Sequence, residues 1–125
     1  MAYLEDLPDS CPPREAIDES FGPAYRMLPA AVPILEHFHS HRKLGRQKPH
    51  DVTECRFASC SLFMSLEKTK RIARMPKMRS KVTHIGVLNV PQGSGSWLEN
   101  DREHVDFWMY DGFDPTGHIA EVIEL

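Results

Sequence analysis

Three strand-like segments follow one another in the last part of the chain, and this succession constrains the fold more than any other feature. Residues 82–90 are rich in β-branched side chains, residues 104–110 place Val105, Phe107 and Met109 on one face, and residues 119–125 follow strong turn signals. Consecutive strands joined by turns usually pair antiparallel, whereas parallel strands need a long crossover. The pattern therefore predicts a mixed, mostly antiparallel sheet.

The preceding part of the chain adds two strands and two helices to this prediction. Residues 25–28 and 57–64 are short apolar runs typical of strands. A helix is expected over residues 33–44, because a proline fits its first turn and a glycine follows it. Ser65 is well placed to cap a helix from residue 66 to about 75. We therefore expect an α+β fold with a sheet of about five strands and two main helices.

The length of 125 residues fits one domain. Four prolines stand among acidic residues in the segment 1–23, and this composition favours an extended chain. We therefore predict a flexible N-terminal arm over residues 1–23 and a single α+β domain over residues 24–125.

Charge and cysteine content narrow the choice of partner and compartment. The 15 basic and 18 acidic residues give a formal net charge of −3, which argues against a nucleic-acid partner. No stretch approaches the ~18 apolar residues of a membrane span, and the N-terminus lacks an apolar leader core. Cys11, Cys55 and Cys60 are odd in number and form no CxxC pair. These features predict a cytoplasmic protein with reduced thiols and no membrane contact.

Histidines are concentrated in one part of the chain. His37, His39 and His41 are spaced so that two imidazoles can share a face of a strand or a helix, and Asp51 follows. The pattern is similar to the metal-binding motif of JAMM-type metalloproteases, although Asp51 comes one residue early and Arg42 stands where a proline is expected. A metal-dependent hydrolase is therefore one alternative, and a solvated histidine cluster without metal is the other.

Four further residues resemble a catalytic set. Arg26 on the first strand, Ser59 and Ser61 on the second, and Glu121 on the last resemble the arginine, Ser-x-Ser and glutamate elements of mono-ADP-ribosyltransferases. The resemblance implies NAD as cofactor, held by Arg26, with Glu121 stabilising a ribosyl cation. Ile119 departs from the family, which usually carries a glutamate or glutamine there. The alternative is that these four residues serve only the structure.

The aromatic strand near the C-terminus offers a possible binding surface. If side chains alternate strictly, Trp108 and Tyr110 lie opposite the core face, where they either dock a partner or are covered by a helix. His104 with Asp106 could act as an oriented general base, but the sequence links no nucleophile to them.

The chain also resembles a family of short, uncharacterised bacterial proteins, through Tyr25-Arg26-Met27-Leu28, Ser40-His41, Leu44-Gly45, Cys55, Ser61-Leu62-Phe63 and His104 with Trp108. This resemblance implies a bacterial, mobile-element or defence context and no activity. Our first functional hypothesis is thus a binding domain for a protein partner, with a docking surface formed by His104, Trp108, Tyr110, Arg42 and Arg46. The NAD-dependent transferase and the metal-dependent hydrolase are the second and third hypotheses, so whether the protein is an enzyme stays open.

Overall fold

A computed structural model describes residues 2–100 and 103–125, and its central element is one antiparallel sheet of six strands. The strands lie in the order β4-β5-β2-β1-β3-β6. Their bounds are β1 Phe21–Leu28, β2 Cys60–Phe63, β3 His84–Val90, β4 Gly95–Glu99, β5 His104–Met109 and β6 Ile119–Glu124. Two α-helices, α1 Glu54–Phe57 and α2 Leu66–Ala73, and two 3₁₀ turns, Leu35–Phe38 and Pro115–His118, complete the fold.

The α+β class and the mostly antiparallel sheet are confirmed, with six strands instead of about five. The additional strand is β4, which begins in the glycine- and serine-rich segment that reads as a turn. Gly95 lies so close to β5 that a Cβ atom there would collide with the carbonyl oxygen of Trp108. Glycine is therefore required here by a close backbone approach inside a strand, not by a turn.

The helix predicted after Ser65 is confirmed. Ser65 accepts a hydrogen bond from the backbone N–H of Lys68, and Glu67 lies in the positive first turn. The helix predicted over residues 33–44 is wrong, because only the 3₁₀ turn Leu35–Phe38 forms there. Of its apolar side chains Phe38 is buried, whereas Ile34 and Leu35 are exposed. A short helix without an apolar face against the core is marginal in water.

The segment before β1 lies against the sheet. Tyr3 and Ile17 form β-bridges with Tyr110 and Trp97, and the carboxylate of Asp18 accepts hydrogen bonds from Tyr110 and from the backbone of Gly93. Phe21, Gly22 and Pro23 already belong to β1, so the sheet begins before the predicted boundary at residue 24. The prediction of an arm separate from the domain does not describe these contacts; Met1 lies outside the described residues.

The prediction of reduced thiols is wrong for two of the three cysteines. Cys11 and Cys55 form a disulfide across 44 positions of sequence, and Cys60 is free and buried. Cysteines so far apart carry no pairing signal, and they meet only because the N-terminal segment runs beside α1. Burial raises the pKa of the Cys60 thiol, which keeps it protonated and unreactive.

The two faces of the sheet differ in composition. Side chains alternate along a strand, and directly paired residues share a face. On one face lies the main apolar cluster, which consists of Phe21, Ala24, Leu28, Phe38, Cys60, Leu62, Leu88, Val90, Val105, Phe107 and Met109. On the other face, β2 and β5 carry Ser61, His104 and Asp106 together with the buried Phe63 and Trp108. We call these the apolar face and the polar face.

No helix in the described ranges 2–100 and 103–125 is long and apolar enough to cross a membrane.

Candidate functional site

Two adjoining cavities open where β5, β2 and β1 lie side by side. Their volumes are about 370 and 460 Å³, and each is of the size that holds a small ligand. The smaller cavity lies against Ser61 and His104, and the larger one extends past the end of β1 to Lys81. They share His41, Arg46 and Ser61 on their walls. We call the two cavities together the groove.

A polar network on β2 and β5 forms the floor of the smaller cavity. The strands pair so that Ser61 lies opposite Asp106 and Phe63 lies opposite His104. Ser61 and His104 are therefore diagonal neighbours on the polar face, and Ser61 Oγ forms a hydrogen bond with His104 Nε2. His104, which the sequence predicts as an oriented base, thus has a hydroxyl partner on another strand.

Asp106 is the buried centre of this network. Its carboxylate lies 3.2 Å from Arg56 Nε and 2.7 Å from Asn100 Nδ2. Ser59 Oγ donates to the carbonyl of Arg56 at 2.7 Å and lies 3.3 Å from Asp106 Oδ1. A carboxylate removed from water needs such partners, and Asp106 has donors from Arg56 and Asn100, with the Ser59 hydroxyl close by.

The network also fixes the orientation of His104. A carboxylate only accepts hydrogen bonds, so Asn100 must point its NH₂ group at Asp106 and its oxygen at His104. His104 Nδ1 lies 3.2 Å from Asn100 Oδ1 and 3.7 Å from Asp106 Oδ1, and both oxygens are acceptors. The neutral ring therefore carries its proton on Nδ1. Its Nε2 lone pair is left to accept the hydroxyl hydrogen of Ser61.

Arg26 holds backbone at the edge of the groove. Its guanidinium donates to the carbonyl of Ser61 at 2.8 Å and to the carbonyl of His37 at 2.9 Å, and it reaches the carbonyl of His39 at 3.4 Å. These bonds fix the end of β2 and the loop after the first 3₁₀ turn relative to β1. Arg26 thus contacts the backbone of Ser61, and it uses much of its hydrogen-bonding capacity on carbonyl groups of the chain itself.

His41 stands at the meeting point of the two cavities. Its Nδ1 accepts a hydrogen bond from Arg46 Nη1 at 2.7 Å, so its neutral ring carries the proton on Nε2. Burial lowers the pKa of His41, and the positive charges of Arg46 and Arg26 lower this pKa further. His41 therefore presents a neutral N–H donor to the groove at pH 7.

Glu121 does not join the other predicted catalytic residues. It is exposed on the edge strand β6, opposite Val87, and β6 is three places from β2 in the sheet. At ~4.8 Å per strand this separation is about 14 Å. The structure thus brings Arg26, Ser59 and Ser61 together and leaves Glu121 outside the groove.

The predicted exposed aromatic surface does not form. Trp108 is 2% exposed, because α1 covers it and its indole N–H donates to the carbonyl of Cys55 at 2.9 Å. Tyr110 packs on the ring of Tyr3 and donates its hydroxyl to Asp18. Burial and this hydrogen bond to Asp18 raise the pKa of Tyr110. The alternative that a helix covers this face is the correct one for Trp108.

The two arginines of the predicted docking surface and the clustered histidines have different surroundings. Arg46 lines the groove, whereas Arg42 donates to the carbonyl of Asp6 in the N-terminal segment. His37 Nδ1 accepts from the backbone N–H of Ile34, and burial together with nearby Lys43 lowers the pKa of His39. Within residues 2–100 and 103–125, no group of three histidine, cysteine or acidic side chains could hold a metal ion.

Sequence reasoning missed Asn100 and the pairing of Ser61 with His104. The first lies beyond a glycine-rich segment that reads as a turn, and the second depends on the register between β2 and β5. The alternation of residues 104–110 could have placed His104 and Asp106 on one face, but no sequence signal names the strand opposite them.

No family model matches this chain, and comparisons with curated proteins and with solved structures find no similar protein.

Proposed function

We propose that the protein is a binding domain whose groove takes a small anionic ligand. The observation that carries this proposal is the charge of the groove walls. Four cations, Arg26, Arg46, Arg56 and Lys81, stand against two carboxylates, Glu36 and Asp106. The groove thus has a surplus of two positive charges on a chain whose net charge is −3. A concave site of one charge sign attracts ligands of the opposite sign.

Arg46 is the main ligand-binding residue in this proposal. It lies on the boundary of both cavities, and one of its nitrogens is bonded to His41. A guanidinium has further N–H donors in a fixed plane, and these suit the paired oxygens of a carboxylate or phosphate. The neutral His41 beside it adds an N–H donor for the ligand. Because this ring carries no charge, ligand binding does not have to remove water from a second charged group. The first hypothesis is thereby kept as a binding function, with the groove replacing the aromatic strand.

The proposal also concerns a protein partner and the location of the protein in the cell. A protein partner would meet the exposed basic side chains at the rim of the groove, because the aromatic strand is covered. The cytoplasmic location stays a prediction, and the disulfide provides its test. Reducing compartments keep thiols reduced, so the Cys11–Cys55 pair should be largely open in rapidly alkylated cell extracts if the protein works in the cytoplasm.

The ligand class can be tested by titrating labelled protein in separate NMR series with inorganic phosphate, AMP and NAD. We expect at least one anion to shift backbone amide signals of Gln47, Ser61 and Val82, which line the groove. The variant Arg46→Gln should weaken that binding by about tenfold or more, since a hydrogen bond to a charged group contributes about 1.5–3 kcal/mol. The NAD series also tests the transferase hypothesis.

Arg14→Gln is the matched control for charge. Arg14 is almost fully exposed in the N-terminal segment and lies outside the groove, and the substitution removes the same charge. It should leave the affinity unchanged. The proposal is wrong if none of the three anions shifts the groove signals, or if Arg14→Gln weakens binding as much as Arg46→Gln.

A further inference from the structure

We infer that Ser61 is a nucleophile activated by His104, and that the groove cleaves carboxylic esters carrying a negative charge. The inference starts from the hydrogen bond between Ser61 Oγ and His104 Nε2 across β2 and β5. The negative charge of the substrate rests on the proposed function, whereas the nucleophile rests on the network alone. The two parts can therefore fail separately.

The orientation of the His104 ring suits a general base. Asn100 is oriented by Asp106, and it presents an oxygen to His104 Nδ1 at 3.2 Å. The proton of the neutral ring is therefore on Nδ1, and Nε2 accepts from the hydroxyl of Ser61. A serine hydroxyl is a weak nucleophile until an adjacent base can take its proton, and this arrangement supplies that base. Asn100 and Asp106 act on the substrate only through the ring, as positioning residues.

The pair is accessible from the groove. Ser61 and His104 both line the smaller cavity, and Ser61 also lines the larger one. Ser61 and His104 are each partly exposed, in contrast to Cys60 and Leu62, their neighbours on the opposite face. A hydroxyl–imidazole pair used only to fill a core would face packed side chains. This one faces a cavity of about 370 Å³.

The reaction can be written with each atom accounted for. Ser61 Oγ attacks the acyl carbon of the ester while its proton passes to His104 Nε2. The acyl–oxygen bond then breaks, and the leaving alcohol takes that proton. Water next attacks the acyl-serine, with His104 again accepting and returning a proton, so that a carboxylic acid is released and Ser61 is restored. The positive charge of the groove walls would favour the negative acyl oxygen that forms in this step.

The test uses the intact protein with two ester probes and one covalent probe. Mono-4-nitrophenyl succinate carries a negative charge, 4-nitrophenyl acetate does not, and a fluorophosphonate forms a stable bond to an activated serine with loss of fluoride. We expect the fluorophosphonate mass on the peptide containing Ser61, and faster 4-nitrophenol release from the succinate ester. Labelling should vanish in Ser61→Ala and slow by at least about 100-fold in His104→Gln.

Ser20→Ala is the matched control, because Ser20 is exposed before β1 and lies outside the groove. It should react like the wild type, and circular dichroism should show all variants folded. Absence of label on Ser61, or labelling unaffected by His104→Gln, overturns the nucleophile. Label on Ser61 without preference for the succinate ester overturns only the charged substrate. Anion binding without labelling leaves the proposed function standing alone.

Discussion

The two faces of β2 and β5 bury different kinds of side chain. On β2, Cys60 and Leu62 enter the apolar face, whereas Ser61 between them enters the polar face. On β5, Val105 and Phe107 are buried in the main apolar cluster, and Asp106 between them is equally buried among polar partners. The apolar face is stabilised by removal of apolar surface from water, whereas the surroundings of Asp106 on the polar face depend on satisfied hydrogen bonds.

Asp106 is the costly residue on the polar face. Burying a carboxylate costs free energy that apolar packing at the same place would not. Buried Asp106 fixes the amide of Asn100, and Asn100 in turn orients His104 next to an open cavity. A sheet that needed only to fold could place apolar residues there, as it does on the opposite face.

The largest expected effect comes from the apolar face. Leu62→Ala removes a fully buried side chain and leaves a cavity, so we expect a loss of about 2–5 kcal/mol in the free energy of unfolding. Ser61→Ala, the adjacent position on the polar face, removes one hydrogen bond and should cost about 0.5–1.5 kcal/mol. Urea unfolding measures both. Equal losses would remove the contrast between the faces.

The disulfide tests what holds the cover of the polar face in place. Cys55 belongs to α1, which covers Trp108, and Cys11 ties the N-terminal segment to it. The double variant Cys11→Ala/Cys55→Ala should lower the free energy of unfolding by about 2–4 kcal/mol, because the unfolded chain is no longer constrained. The wild-type protein unfolded in the presence of a reductant should show the same free energy of unfolding as the double variant. An unchanged midpoint in both experiments would mean that the bridge does not close.

Removal of the buried carboxylate probes the polar network itself. Asp106→Ala removes the acceptor that Asn100 Nδ2 and Arg56 Nε share, and we expect a cost of about 1–3 kcal/mol. Asp111→Ala deletes an exposed carboxylate near the end of the same strand and should stay within about 0.5 kcal/mol of the wild type. Thermal unfolding of the two variants measures the difference. If both are equally stable, the hydrogen bonds around Asp106 do not stabilise the fold.

The smallest expected effect is a dependence on pH through His41. Its folded-state pKa lies below the ordinary value of 6.5, so the unfolded chain binds this proton more readily. The contribution of His41 to stability is therefore present above about pH 6.5 and is lost as the pH falls below it. Arg46→Gln should raise the pKa of His41, read from its ring signals by NMR.

Lys43→Gln serves as the control for that titration. Lys43 lowers the pKa of His39 and is not among the causes of the shift at His41. The substitution should therefore move the His39 signals and leave those of His41 in place. A His41 pKa that responds equally to both substitutions would mean that general surface charge controls it, and not its bond to Arg46.

Local signals in the sequence were sufficient where the chain itself supplies the partner. Ser65 caps α2 through the backbone three residues ahead, and β3 is a run of β-branched and apolar residues. The helix predicted over residues 33–44 is wrong because a helix there would form only if an apolar face packed against the core. Only Phe38 did so, and one turn formed.

The candidate site was predictable in its residue types and not in its geometry. Arg26 and Ser61 were named from a resemblance to a catalytic set, and His104 was named as an oriented general base. In the structure Arg26 holds the backbone of Ser61, while the Ser61 hydroxyl pairs with the His104 imidazole. Both roles follow from the register, which sets Ser61 opposite Asp106. Glu121 was named by resemblance alone, and the strand order places it on the edge strand away from the groove.

The sequence by itself determined the class of fold, the antiparallel tendency of the final strands and the cap of α2, because each depends on residues near one another in the chain. Only the tertiary structure decided the disulfide, the burial of Trp108 and the pairing of Ser61 with His104. These depend on segments 43 to 53 residues apart meeting at a particular register. A shift of one residue in that register would turn Ser61 to the opposite face.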